Sequence, residues 1–160
     1  MASGRYLSLP GDAQTGIAPV SAASAWGYGV WERVSRPDKG IYITGFQFQI
    51  GNLPTNDTTV MQLFEIGVGD SGSEVTQIQI PYSFRRDSNV GYFNIKSQSI
   101  FLPEPVYIAA GTRIAVRAAD SLTTAITYDG VKLIYREGNS PTVALNTPLN
   151  TATITDTTPT

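Results

Sequence analysis

Apolar residues recur at every second position through the middle of the chain, and almost nowhere at helical spacing. In "IYITGFQFQI", Ile41 and Ile43 share one parity, whereas Phe46, Phe48 and Ile50 share the other. Strand side chains alternate between two faces, so this switch predicts a strand carrying a one-residue bulge at Gly45, which turns the apolar side over while the strand continues. "TVMQLFEIG" keeps Val60, Phe64 and Ile66 in step. "VTQIQIPYSF", "GYFNIKSQSIFL", "PVYIAAGTRIAVRAA" and "TTAITYDGVKLIYRE" are short, rich in β-branched or aromatic residues, and separated by Gly, Pro, Asn and Asp. "WGYGVWERV" also alternates, with Trp26, Tyr28 and Val30 on one side, though its two glycines weaken it as an interior strand.

Two chain reversals follow from turn chemistry. The "AAGT" corner of "VYIAAGTRIAV" predicts a hairpin that leaves Ile114, Val116 and Ala118 facing inward and Arg113 and Arg117 facing out. Asp129-Gly130 in "ITYDGVKLIY" is the strongest short hairpin signal in the chain. About eight or nine strands at roughly eight-to-twelve-residue spacing predict an all-β protein, an antiparallel sandwich or a barrel. Periodicity alone does not separate a jelly roll from an immunoglobulin-like sandwich.

The ends differ from the middle. Residues 1–25 are small and polar, broken by Pro10, Gly11, Gly16 and Pro19, and predict an extended N-terminal arm before a sandwich over residues 26–137. Residues 138–160 are rich in Thr and Pro, with Asp156 as their one charge, and predict an extended C-terminal arm. Ordering backbone costs about 1–2 kcal/mol per residue, more than Val143, Leu145, Leu149 and Ile154 offset by burial. Such a tail is expected to be held by other chains, for instance by adding as a strand to an open sheet edge.

Composition narrows the chemistry. With 160 residues, 41% hydrophobic and 10% aromatic, the chain has the material for one core. A formal charge of −2 with 15% charged residues gives no electrostatic footprint for nucleic acid or an anionic membrane, so neither is expected as a partner. There is no run of about eighteen apolar residues and no basic-then-apolar start, so no membrane span or signal peptide is expected. With no His and no Cys, zinc and copper sites of the ordinary ligand types, Ser-His-Asp triads, thiol nucleophiles and disulfides are all removed.

Carboxylate chemistry remains. In "GVGDSGSE", Asp70, Ser71, Ser73 and Glu74 could offer oxygens to calcium, but two charged ligands are few for an ion that takes about six to eight oxygens, and a glycine-rich turn accounts for the same residues. Glu65 with Glu74, and Asp120 with Asp129, lie near strand ends, where a glycoside-cleaving pair would stand about 5 to 9 Å apart. Solvated edge charges explain them more simply. Lys96 beside Ser97 points to the opposite strand face, which disfavours a Ser-Lys pair there or with Ser99. The expectation is no enzyme, no metal and no cofactor.

The aromatics Trp26, Tyr28, Trp31, Tyr42, Tyr82, Tyr92, Tyr107, Tyr128 and Tyr135 suit either a sugar-stacking platform or core and interface anchors. Trp31 has the opposite parity to Trp26 and Tyr28, which puts large groups on both faces and favours an oligomer contact. Arg85 and Arg86, beside Asp87, read equally as an interface clamp for carboxylates or as a solvated loop.

The succession "SAWGYGVWERV", "IYITGFQFQI", "LFEIGVGDSGSE", "IPYSF" and "LPEPVYIAAGTRIAVRAADS" resembles jelly-roll virion structural proteins of tailed bacteriophages, over about residues 22 to 136, with both arms outside the match. The resemblance implies a jelly roll without catalysis: a capsid decoration or cement protein, assembled in the host cytoplasm and resident in the virion. Its implied partners are copies of itself, with a trimer preferred, and the major capsid protein or other virion proteins reached through the arms. The alternative it leaves is a receptor- or glycan-binding module of a tail or head fibre. The candidate interface residues are Trp31, Arg85, Arg86, Val143, Leu145, Leu149 and Ile154.

Overall fold

A computed structural model describes residues 7–10, 16–50, 58–86 and 98–139. Among them are eight strands: β1 Leu7–Leu9, β2 Glu32–Ser35, β3 Ile41–Ile50, β4 Thr58–Val68, β5 Val75–Arg86, β6 Gln98–Ile108, β7 Ile114–Asp120 and β8 Tyr128–Glu137. The antiparallel pairs β1 with β8, β2 with β7, β3 with β6 and β4 with β5 are nested, as in one long hairpin. Further pairing of β3 with β8 and of β4 with β7 rolls that hairpin into two four-stranded sheets, ordered β1-β8-β3-β6 and β2-β7-β4-β5. This is the strand order of a jelly roll, an all-β sandwich.

The core lies between the sheets. Ile41, Ile43, Phe46 and Phe48 from β3 meet Val60, Phe64 and Ile66 from β4 and Ile114 and Val116 from β7, all buried. Phe64 stacks within 4.6–4.8 Å of Phe46, Phe48 and Tyr128, in tilted or edge contacts of the kind aromatic quadrupoles favour. The register of β3 shifts between Ile43 and Gly45 against both neighbours, so the parity switch is the expected bulge, and all four large side chains reach one core.

Several local expectations need correcting. The "AAGT" corner does not close a hairpin: it carries the chain from β6 in one sheet to β7 in the other, and Gly111, at φ +74°, makes the turn. Ile114, Val116 and Ala118 still face inward. Asp129-Gly130 is not a turn either. Both residues lie within β8, where Gly130 has φ +61° and the register against β3 shifts between Gln47 and Gln49. A left-handed glycine serves a bulge as well as a tight hairpin, so the dipeptide alone does not decide between them.

The segment expected to be a free arm is, where described, part of the body. Leu7, Ser8 and Leu9 pair with Tyr135, Ile134 and Leu133. Ile17 and Val131 exchange two backbone hydrogen bonds (3.1 and 2.9 Å), and Tyr128 N–H donates to the Pro19 carbonyl (2.9 Å). Short bridging pieces of this kind leave no hydrophobic period to read. The C-terminal segment beyond Asn139 lies outside the described residues.

Candidate functional site

The outer surface of the β2-β7-β4-β5 sheet concentrates the side chains that the core does not use. On β4, Phe64 and Ile66 point inward, so Met61, Leu63, Glu65 and Gly67 point outward. Arg117 of β7 and Gln79 of β5 stand opposite Glu65 on either side. The β4–β5 register shifts between Ile66 and Gly67, so Gly67 pairs with Thr76. This bulge turns Thr76 to the face of Gln79, although residues three apart on a regular strand point opposite ways.

Four donors therefore converge on one carboxylate. Glu65 Oε1 accepts from Tyr28 Oη (2.9 Å) and Gln79 Nε2 (2.7 Å), and Oε2 accepts from Thr76 Oγ1 (3.0 Å) and Arg117 Nε (2.7 Å). Burial pushes the Glu65 pKa up, but the hydrogen bonds from Gln79, Arg117, Tyr28 and Thr76 outweigh it and hold the group below its usual value. With both oxygens doubly engaged, Glu65 is a structural anion and has no free lone pair to take a substrate proton.

The Arg117 guanidinium lies between two rings, 4.1 Å from the Tyr28 centroid and 4.3 Å from that of Trp31. Cations over aromatic faces gain from the ring quadrupole, and the planar guanidinium stacks where an ammonium would not. The Trp31 ring sits where a β-carbon on Gly67 would meet it at 2.6 Å, so glycine at 67 makes the seat for the indole. Tyr28 and Trp31 thus share one face, against the opposite parities expected of a regular strand. Residues 26–31 are not a strand: Trp26 has φ +61°, and the segment follows β7 through Trp26 N–H to the Asp120 carbonyl (2.6 Å) and Gly29 N–H to the Ala118 carbonyl (3.0 Å).

Beside this polar cluster is an apolar groove of about 380 Å³, lined by Trp26, Met61, Gln62, Leu63, Pro81, Tyr82 and Ser83. Among the described residues, no charged one lines it. Trp26 is 49% and Met61 50% exposed, so two large apolar side chains stand at its mouth facing solvent. The groove escaped the candidate residues, although Met61 and Leu63 on the off-core parity of β4 are a legible sign of a second apolar face.

Glu74, Asp70 and Asp120 are also engaged by their own chain. Glu74 pairs with Arg113, and its Oε2 accepts from Gly72 N–H (2.8 Å). Burial raises its pKa, but hydrogen bonds from its own backbone, Arg113 and Gly72 outweigh that and lower it. Asp70 is exposed and faces Arg36 at 3.4 Å, so it does not converge with Glu74. Gly69 and Gly72, at φ +128° and +87°, close the loop with Ser73 N–H donating to the Asp70 carbonyl (3.0 Å), which is a turn. Asp120, on β7, accepts from Ser21 Oγ, from Leu122 N–H (2.8 Å) and from Tyr128 Oη (3.4 Å), tying the N-terminal segment to the core.

Of the other candidates, Arg85 and Arg86 end β5 opposite Thr59 and Thr58, and their side chains lie outside the described residues. So do Val143, Leu145, Leu149 and Ile154, as well as Lys96 and Ser97.

No protein-family model matches the sequence. No curated protein matches it. Among solved structures, the chain is similar to the Eiger TNF of S. frugiperda, at 13% identity over 87% of this chain and 97% of that chain, with a TM-score of 0.35. At that score the likeness carries no weight beside the strand order, on which the fold assignment rests.

Proposed function

We propose that this chain is a non-enzymatic structural protein of a tailed-phage particle, a decoration or cement module that binds neighbouring protein chains. The observation that carries this reading is the groove under Trp26, a solvent-facing and largely apolar site with no charged residue among the described lining, on a sheet face where Glu65 is fully hydrogen-bonded. Interfaces are anchored by aromatic and large apolar side chains in desolvated pockets, and Trp is foremost among them. Glu65, Glu74 and Asp120 are bonded within the chain, which supports a scaffold role for them. The sequence resemblance supports the virion setting and a trimer as the assembled unit.

The glycan-binding alternative draws less support. Sugars require several polar groups around a stacking ring, and the lining beside Trp26 is apolar at Met61, Leu63 and Pro81, with Gln62, Tyr82 and Ser83 as its polar side chains and no charged group among the described residues.

Copy number on purified particles tests the proposal. Hundreds of copies per particle by gel densitometry are expected of a decoration protein. The full-length Trp26→Ser, Met61→Lys double variant, folded by circular dichroism, is expected to lower that occupancy at least tenfold. A handful of copies per particle together with a positive glycan array would move the reading to a fibre module, and particles that hold none of the protein would end it.

A further inference from the structure

We propose that the groove under Trp26 receives the C-terminal segment of a neighbouring copy, with Leu145 and Leu149 as its anchors; this rests on the reading above and names the contact that fastens one copy to the next.

The groove restricts its occupant. With Met61, Leu63, Pro81 and the Trp26 ring as its apolar walls, Gln62, Tyr82 and Ser83 as its polar ones and no charged residue among the described lining, it suits an extended, uncharged segment bearing aliphatic side chains. Among the stretches outside the described residues, 1–6 contains Arg5, 11–15 contains Asp12, 51–57 contains Asp57, and 87–97 contains Asp87 and Lys96. Residues 140–155, "SPTVALNTPLNTATIT", carry no charge and contain Val143, Leu145, Leu149 and Ile154. Two prolines there hold down the cost of ordering the chain, since their φ is already fixed.

Strand addition at a sheet edge, the mode expected from the tail's Thr and Val content, is poorly served by this fold. The edge strands β1 and β2 are three and four residues long. The edge strand β5 carries Pro81 and the bulge near Gln77, and the edge strand β6 carries Pro103 and Pro105. Proline offers no N–H, and bulges twist an edge away from a partner. Side-chain insertion into the groove is the contact these edges leave open.

Reach keeps Leu145 out of its own groove, so a groove that seats both Leu145 and Leu149 belongs to a neighbour. The chain leaves β8 at Asn139, whose carbonyl accepts from Tyr42 Oη (2.9 Å), at the end of the sandwich where Ile41 pairs with Glu137 and Ile108. The groove lies at the other end, where Gln62 pairs with Asp120. From Ile114 to Asp120 is six strand steps, about 20 Å, and passing around the sandwich adds about 10 Å for the spacing of the sheets. Leu145, six residues beyond Asn139, reaches at most about 20–22 Å and stops short of its own groove. Leu145 and Leu149 can both seat only in a groove that faces the exit from another copy.

A chain without cysteine allows a direct test. Full-length Met61→Cys and Leu149→Cys variants are mixed, oxidised mildly with diamide and run on a non-reducing gel. The expected result is a covalent mixed dimer at least fivefold more abundant than that formed when Leu149→Cys is mixed with Glu104→Cys, an exposed control site on β6. A yield no better than the control overturns the proposal. So does internal closure in the Met61→Cys, Leu149→Cys double variant without mixed dimers, which would make the chain's own tail the occupant. A Met61→Cys homodimer in place of the mixed one would instead mean that two grooves face each other, and also overturns it. The outcomes separate from those of the function: failed cross-linking with high particle occupancy removes this contact alone, whereas cross-linking without particle occupancy removes the virion reading alone.

Discussion

Glu65 and Arg117 stand directly opposite one another on β4 and β7, joined by an Nε–Oε2 bond of 2.7 Å and an Nη2–Oε2 contact of 2.6 Å, on the sheet face away from the core. The Glu65 side chain is only 4% exposed, so deleting its cation strands a charge out of water. Breaking a buried pair costs about 3–5 kcal/mol, and with Arg117 27% exposed the expectation for Arg117→Ala is about 2–3 kcal/mol in urea unfolding. Arg117→Lys should recover less than half of that, because an ammonium does not stack between Tyr28 and Trp31 or present a planar fork. Adding Glu65→Gln to Arg117→Ala should restore part of the loss. If Arg117→Ala changed stability by less than about 0.5 kcal/mol, the range of an ordinary surface substitution, the cluster would not hold residues 26–31 on the sheet.

This cluster and the separate Glu74–Arg113 pair set the acid limb of stability. Glu65 and Glu74 both ionise more readily folded than unfolded, despite burial, because hydrogen-bond donors favour their charged forms. The unfolded chain therefore binds more protons in this range, and stability rises with pH. The contribution is complete above the unfolded glutamate pKa of about 4.3 and is lost as pH falls through the lower folded values. Melting temperatures from pH 7 to pH 2 should show Glu65→Gln less stable than the parent at neutrality, with a shallower fall below pH 5. Parallel acid limbs in the two proteins would contradict the assignment.

At the alkaline end the sign reverses. Tyr128 is buried, and burial first, then the charge and hydrogen bond of Asp120, push its pKa upward. Burial also raises Tyr82, and burial followed by the Glu65 hydrogen bond raises Tyr28. A tyrosine raised in the fold stabilises fully below its unfolded pKa of about 10, and that stabilisation drains away as pH climbs above it, since only the unfolded phenol ionises freely. Tyr128→Phe keeps the edge contact with Phe64 and should cost about 1 kcal/mol or less at pH 7. Between pH 10 and 12 its stability should decline less steeply than the parent's. An unchanged decline would show that Tyr128 ionises as easily folded as unfolded.

The sheets were readable where side-chain parity alone decides burial. Ile41, Ile43, Phe46 and Phe48 disclose both a strand and its bulge, because a slip of one residue would put four large side chains into water. Residues whose placement depends on another strand were not readable in this way. Thr76 and Gln79 reach Glu65 together only because β5 bulges opposite Gly67, and nothing in "VTQIQI" announces that. Tyr28 and Trp31 converge on Arg117 because residues 26–31 are not a regular strand and begin at a left-handed Trp26, a backbone rare for a residue with a β-carbon, so alternation does not apply to them. Gly111 and Gly130 both take positive φ, but the turn signal they carry in the sequence does not say whether the chain then returns to its own sheet, crosses to the other or continues as a bulge. Jelly-roll nesting is long-range information of this kind: β1 and β8 are joined across most of the chain.

Gly16 tests whether the N-terminal segment belongs to the body. Its φ is +88°, and an added β-carbon would lie 2.7 Å from the Gly130 carbonyl carbon and 2.8 Å from the Val131 oxygen. The next residue, Ile17, exchanges two backbone hydrogen bonds with Val131; beyond it Ser21 N–H donates to the Ile126 carbonyl (3.0 Å), and Ser21 Oγ accepts from Ile126 N–H (2.9 Å). Gly72 supplies the control: it also has positive φ, at +87°, but an added β-carbon there meets nothing within 4 Å. Forcing a β-carbon into left-handed backbone costs about 1–2 kcal/mol, which is the whole expectation for Gly72→Ala. Gly16→Ala carries that strain and the clash together, so it should destabilise by clearly more and remove hydrogen-exchange protection at Ile17 and Val131. Equal costs for the two variants, with protection at Ile17 intact, would mean that residues 16–21 do not rest on β8.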